Sequence, residues 1–143
     1  MVSAYSTFAN GGVHTDPIFV TRIEDRQGNL IATFIPESQD AVSERTAYTM
    51  LTMLQSVVTN GTAGRLKWQF DLGDAQLGGK TGTSEKIDTY DENGKPVEDK
   101  IVSFIGVAPI DDPKYVVLVA LDTPNYVAGT SYCLLYTSDA ADE

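Results

Sequence analysis

Sulfur and imidazole chemistry are nearly absent from this 143-residue chain. A single cysteine, Cys133, excludes an intrachain disulfide and a thiolate-built zinc site. A single histidine, His14, removes most imidazole-based metal and triad chemistry. Basic residues are scarce as well. Ten of them against twenty acidic ones leave a net charge of −10 and a pI near 4.3, the wrong balance for binding nucleic-acid phosphates or an anionic lipid surface. The longest apolar runs are Tyr115–Leu121 and Ile105–Ile110, far below the roughly 20 residues of a membrane-spanning helix. No basic stretch followed by an apolar one opens the chain, so no signal peptide is visible. What remains is an ordinary globular composition, 42% hydrophobic and 21% charged, sized for one domain with no cofactor or metal site evident.

Hydropathy patterning predicts an α+β fold, with an antiparallel sheet packed against helices. Ala4–Ala9 reads as the end of a helix, stopped by Asn10-Gly11-Gly12, residues that tolerate the left-handed conformation. Ile18–Asp25 and Leu30–Ile35 are rich in β-branched and aromatic residues around the turn Arg26-Gln27-Gly28-Asn29, which predicts a hairpin. Ser43 is placed to cap a helix running to about Thr59, with Ala47, Met50, Leu51, Leu54, Val57 and Val58 on its core face. Met53 is expected in that core as well. A loop at Gly61–Gly64 leads into a less regular stretch to Gln76. Ile101–Ala108 and Lys114–Asp122 read as strands, the second apolar on both faces and so expected to be covered on both sides.

One constellation carries chemistry: Lys80-Thr81-Gly82-Thr83. In an extended strand, residues i and i+2 share a face. Thr81 and Thr83 then stand together, where two hydroxyls can hold one carboxylate. Lys80 adds positive charge for an anionic substrate end. Gly82 lets another backbone approach, and such a strand can pair with an extended peptide. A K-T-G triplet alone equally fits an exposed strand with a solvated lysine. The other chemical reading is phosphate binding, because Gly79-Lys80-Thr81 looks like the end of a P-loop. That motif needs glycine at position 74, which is Asp74, and a helix after the lysine, where turn-rich acidic sequence follows.

Context decides between these readings. Leu77–Lys86, Ile101–Pro109 and Asp112–Val119, with Ala4–Gly12 and Val57–Ala63 upstream in the same order, resemble the transpeptidase domain of class B penicillin-binding proteins, Gram-positive type. The resemblance covers residues 4–126 and implies part of a penicillin-binding or serine β-lactamase-like fold over residues 1–132. It implies a serine that attacks the penultimate D-alanine of a peptidoglycan stem peptide, passes the acyl group to an amine and is acylated by β-lactams. Lys80 and Thr83 become the catalytic residues of this strand, Lys80 through electrostatics and proton transfer, Thr83 through an oxyanion-hole N–H. Thr81, Gly82 and Thr83 become substrate-binding residues for the D-Ala-D-Ala terminus. No cofactor, metal or nucleic acid is implied. A membrane-anchored parent acting on the outer face of the bacterial cytoplasmic membrane is.

The family pattern is S-x-x-K, then S-x-N, then K-T-G, and only the third is present. None of Ser3, Ser6, Ser38, Ser43, Ser56, Ser84, Ser103, Ser131 and Ser138 has a lysine three residues on or an asparagine two on. The nucleophile is therefore expected upstream of Met1, and the chain alone is expected to be inactive. A serine β-lactamase or D,D-carboxypeptidase fragment shares K-T-G, and a non-catalytic module for cell-wall peptides is the alternative from another class.

The remaining residues read more plainly. Residues 133–143 resemble translated sequencing-adapter DNA, a non-native tail. Setting them aside removes three acidic side chains and moves the net charge from −10 to −7. His14 reads as an exposed loop residue, Trp68 and Phe70 as packing under the sheet, and Gly61-Thr62-Ala63 as a tight turn shaping the cleft floor, more structural than catalytic. Asp88, Asp91, Glu92, Glu98 and Asp99 lack calcium-loop spacing and read as a solvated loop.

Overall fold

The computed structural model describes residues 1–69, 76–87, 90–95 and 99–124. The Trp68 side chain, Phe70, Asp88, Glu98 and residues 133–143 lie outside the described residues. The element order is α1 (Val2–Ala9), β1 (Val13–Thr15), β2 (Arg22–Glu24), β3 (Leu30–Thr33), β4 (Ser38–Asp40), α2 (Glu44–Asn60), α3 (Arg65–Gln69), β5 (Gly78–Glu85), β6 (Lys100–Ala108) and β7 (Tyr115–Asp122). Strands β5, β6 and β7 form an antiparallel sheet in that order, while β1 pairs with β4 and β2 with β3 in two small antiparallel ladders.

Local chemistry accounts for the helices. The Ser43 hydroxyl accepts from the Thr46 N–H at 3.2 Å, satisfying one of the orphan donors at the start of α2. Ala47, Leu51, Leu54 and Val58 then recur at helical spacing and are all buried. Helix α1 stops where expected, with Gly11 and Gly12 at φ of +61° and +98°, and the Gly12 N–H closes on the Thr7 carbonyl at 2.8 Å.

The core has two parts. Leu51 and Leu54 of α2 meet Val107 and Ile110, with Tyr5, Phe8, Ala9 and Val116 packed around them. Tyr5 and Phe8 are edge-on, 6.1 Å between ring centres. The second part joins Val58 and Ala63 to Val57, Leu66, Leu77 and Phe104. Each fully buried aliphatic side chain contributes about 1.5–3 kcal/mol, so the sheet is fixed to α1 and α2 chiefly by this burial.

Several expectations need correction. Strand β7 is open on one face: Tyr115, Val117, Val119 and Leu121 are 69%, 56%, 47% and 37% exposed. The alternate residue Val116 packs toward α1 and α2, and no described helix lies over the other face. Met53 is 59% exposed, because its position turns it away from the Leu51–Leu54–Val58 stripe. His14 belongs to a strand, half-buried, with Nδ1 3.0 Å from the Thr7 hydroxyl and Nε2 3.3 Å from Asp16. The hairpin strands, Arg22–Glu24 and Leu30–Thr33, are shorter than the apolar runs, and a register shift falls between Ile23 and Glu24 within their ladder. Residues 65–69, expected to be irregular, form the short helix α3. No helix among the described residues is long and apolar enough to cross a membrane.

Candidate substrate-binding strand

Strand β5 carries the Lys80–Thr83 segment at the edge of its sheet. It is extended throughout and pairs with β6 alone, Lys80 opposite Ile105, Thr81 opposite Phe104, Gly82 opposite Ser103 and Thr83 opposite Val102. Its outer edge has no strand partner among the described residues. Alternation places Thr81 and Thr83 on one face, as the sequence predicts, with Lys80, Gly82 and Ser84 on the other. Lys80 and Thr83 are exposed, and Thr81 and Gly82 are half-buried.

The strand borders a cavity. An open cleft of about 350 Å³ is lined by Met1, Gly82, Thr83, Ser84, Ile101, Ser103, Leu118 and Ala120, on the Gly82 face. A methyl group built on Gly82 would stand 2.7 Å from the Ser103 hydroxyl and would narrow this cavity. The Lys80 ammonium donates to the Thr81 carbonyl and so stays beside the strand.

Two anchorages hold β5 in place. At its start, helix α2 packs across it. Beyond its end, Lys86 reaches over β6 to the far strand, pairing with the Asp122 carboxylate and donating to the Thr123 hydroxyl at 2.7 Å. The Lys86 hydrogen bond, with a smaller one from Thr123, holds the Asp122 carboxyl below the ordinary carboxylate range. A third contact lies at the centre. The Thr62 hydroxyl, in the turn after α2, is 3.0 Å from the Thr81 hydroxyl. Thr62 thus lies beside the strand, in keeping with a turn that shapes the cleft floor, and its direct contact with Thr81 goes beyond that expected role. Nineteen residues separate it from Thr81, and only the packing of Ala63 and Val58 against Leu77 and Phe104 brings the two together. His14 belongs to β1, which pairs with β4, and α2 meets β5 at Gly78, where the Leu54 and Gln55 backbone lies close against the strand.

Comparison with known proteins places the whole arrangement. The penicillin-binding protein transpeptidase domain family matches residues 1–134. The chain belongs to that family. Stage V sporulation protein D of Bacillus subtilis is 37% identical over 131 residues, covering 86% of this chain and 18% of that protein. Among solved structures, the D,D-transpeptidase domain of a peptidoglycan glycosyltransferase from Eggerthella lenta superposes with a TM-score of 0.70 at 26% identity, covering 97% of this chain and 28% of that one. Penicillin-binding protein 3 of Mycobacterium tuberculosis, in complex with aztreonam, gives 0.72 at 27%, covering 98% and 33%. The fold is thus that of penicillin-binding transpeptidase domains. The chain spans about a fifth of the length of the curated relatives it matches.

Proposed function

We propose that this chain is the C-terminal part of a peptidoglycan D,D-transpeptidase that cross-links stem peptides through a serine acyl-enzyme, and that it supplies the substrate-binding strand. The observation that carries this reading is Lys80-Thr81-Gly82-Thr83 on an extended edge strand, in a chain of the penicillin-binding transpeptidase family. An extended peptide added along the outer edge of β5, which has no strand partner among the described residues, gains main-chain hydrogen bonds, and its terminal carboxylate accepts from the Thr81 and Thr83 hydroxyls. The Thr83 N–H stabilises the oxyanion formed as the serine attacks. Lys80 favours the anionic substrate and steadies proton transfer beside the nucleophile. Gly82 keeps the approach clear.

A neighbour solved with aztreonam supports β-lactams as ligands of the complete domain. The parent acts on the outer face of the cytoplasmic membrane, in wall synthesis during division or sporulation. Residues 1–143 hold no S-x-x-K and no S-x-N, so the chain alone forms no acyl-enzyme. The test is incubation with a fluorescent penicillin. The complete domain containing this sequence acquires a denaturation-resistant label, and the 143-residue chain acquires none. A stable label on the short chain would show that it carries its own nucleophile and overturn this reading.

A further inference from the structure

Resting on the transpeptidase reading above, we infer that Thr62 is a positioning residue for carboxylate recognition, setting the direction in which the Thr81 hydroxyl donates. The geometry is a direct hydroxyl pair, 3.0 Å between the two Oγ1 atoms, with no third side chain required.

A threonine hydroxyl has one proton to donate and two lone pairs with which to accept. An ionised carboxylate can only accept. If Thr81 spends its proton on Thr62, it turns a lone pair toward the carboxylate and repels it. With Thr62 donating to Thr81 instead, the Thr81 lone pair is satisfied and its single proton points away from Thr62, toward the substrate. A hydrogen-bonded chain of this kind also strengthens its terminal donor. Thr62 thus never touches the substrate, yet it selects for a free, negatively charged terminus. Its place is secure: the neighbouring Ala63 is fully buried against Val58, and the Ala63 and Gly61 N–H groups both donate to the Val57 carbonyl at 3.1 Å.

The experiment compares acylation of the complete domain by benzylpenicillin, which carries the free carboxylate, and by its neutral methyl ester. Wild type is expected to react faster with the acid. Thr62→Val, which keeps the shape and removes the hydroxyl, is expected to slow reaction with the acid about tenfold, the worth of one charge-assisted hydrogen bond, and to leave the ester rate unchanged. Thr62→Ser restores the preference. In a Thr81→Val background, adding Thr62→Val changes nothing further. If valine does not fit the turn, Thr62→Ala carries the same comparison. Equal slowing with acid and ester marks a merely structural residue and overturns the inference. So does an acid preference left intact in Thr62→Val. A wild type with no preference for the acid would overturn the carboxylate reading of Thr81 itself, and this inference with it.

Discussion

Adding one methyl group to β5 should do opposite things at positions three residues apart. At Gly79 an alanine Cβ would stand 2.4 Å from Cζ of Phe104 and 2.6 Å from the Ile105 carbonyl oxygen. Carbon contacts settle near 3.5–4.0 Å, so the ring must retreat by more than about 1 Å. Phe104 packs on the Val58–Ala63 cluster, and the Ile105 carbonyl belongs to the paired strand, so neither yields without opening the core. Overpacking of this kind costs about 3 kcal/mol, and the alanine's reduced unfolded-state freedom returns roughly 0.5–1. A net loss of about 2 kcal/mol is expected. At Gly82 the sole neighbour within 4 Å among the described residues is the Ser103 hydroxyl, at 2.7 Å. A serine side chain can rotate away, so Gly82→Ala should be within about 0.5 kcal/mol of wild type. Its methyl group enters the cavity beside the strand, and acylation by penicillin should fall at least tenfold. Urea denaturation of the complete domain reads the first effect, and acylation kinetics the second. Equal destabilisation by both alanines, or full acylation by Gly82→Ala, would refute the reasoning.

Other expectations follow from single contacts. Leu54→Ala, at a side chain only 5% exposed against Val107 and Ile110, should cost about 2–4 kcal/mol in urea denaturation. Ser43→Ala removes the α2 cap and should cost about 1 kcal/mol by the same measurement. The Asp25 carboxyl lies below its ordinary value of 3.8, chiefly through the Asn29 side-chain and backbone N–H groups, and Asp122 does so through Lys86. Their stabilisation is present above pH 3.8 and is lost as pH falls from there through the lower folded-state values. Acid titration followed by circular dichroism should therefore show a shallower loss below pH 4 in Asp25→Ala than in wild type.

Much of this molecule can be read from local sequence, because local chemistry determines it. Ser43 and the 3.6-residue recurrence of Ala47, Leu51, Leu54 and Val58 specify α2 without help from elsewhere. Asn10-Gly11-Gly12 specifies the end of α1 in the same way. The extended state of Lys80–Thr83 and the shared face of its threonines follow from a strand's two-residue period. What depends on distant partners is not legible. An apolar β7 asks for cover on both faces, but composition cannot say whether a segment is there to provide it, and Val117 and Val119 stand exposed. Met53 is as apolar as Met50 and lies just outside the buried stripe. His14 joins a strand because Gln39, twenty-five residues away, is its ladder partner. The Thr62–Thr81 contact likewise exists only once α2 has docked on the sheet.

The account turns on what the outer edge of β5 receives. A crystal structure of the complete domain after reaction with a penicillin measures this directly. The expected result is an acyl-enzyme whose carboxylate lies within about 3 Å of both the Thr81 and Thr83 hydroxyls, a charge-assisted hydrogen-bond distance. An adduct whose carboxylate is held elsewhere, with these two hydroxyls facing only solvent, would contradict it.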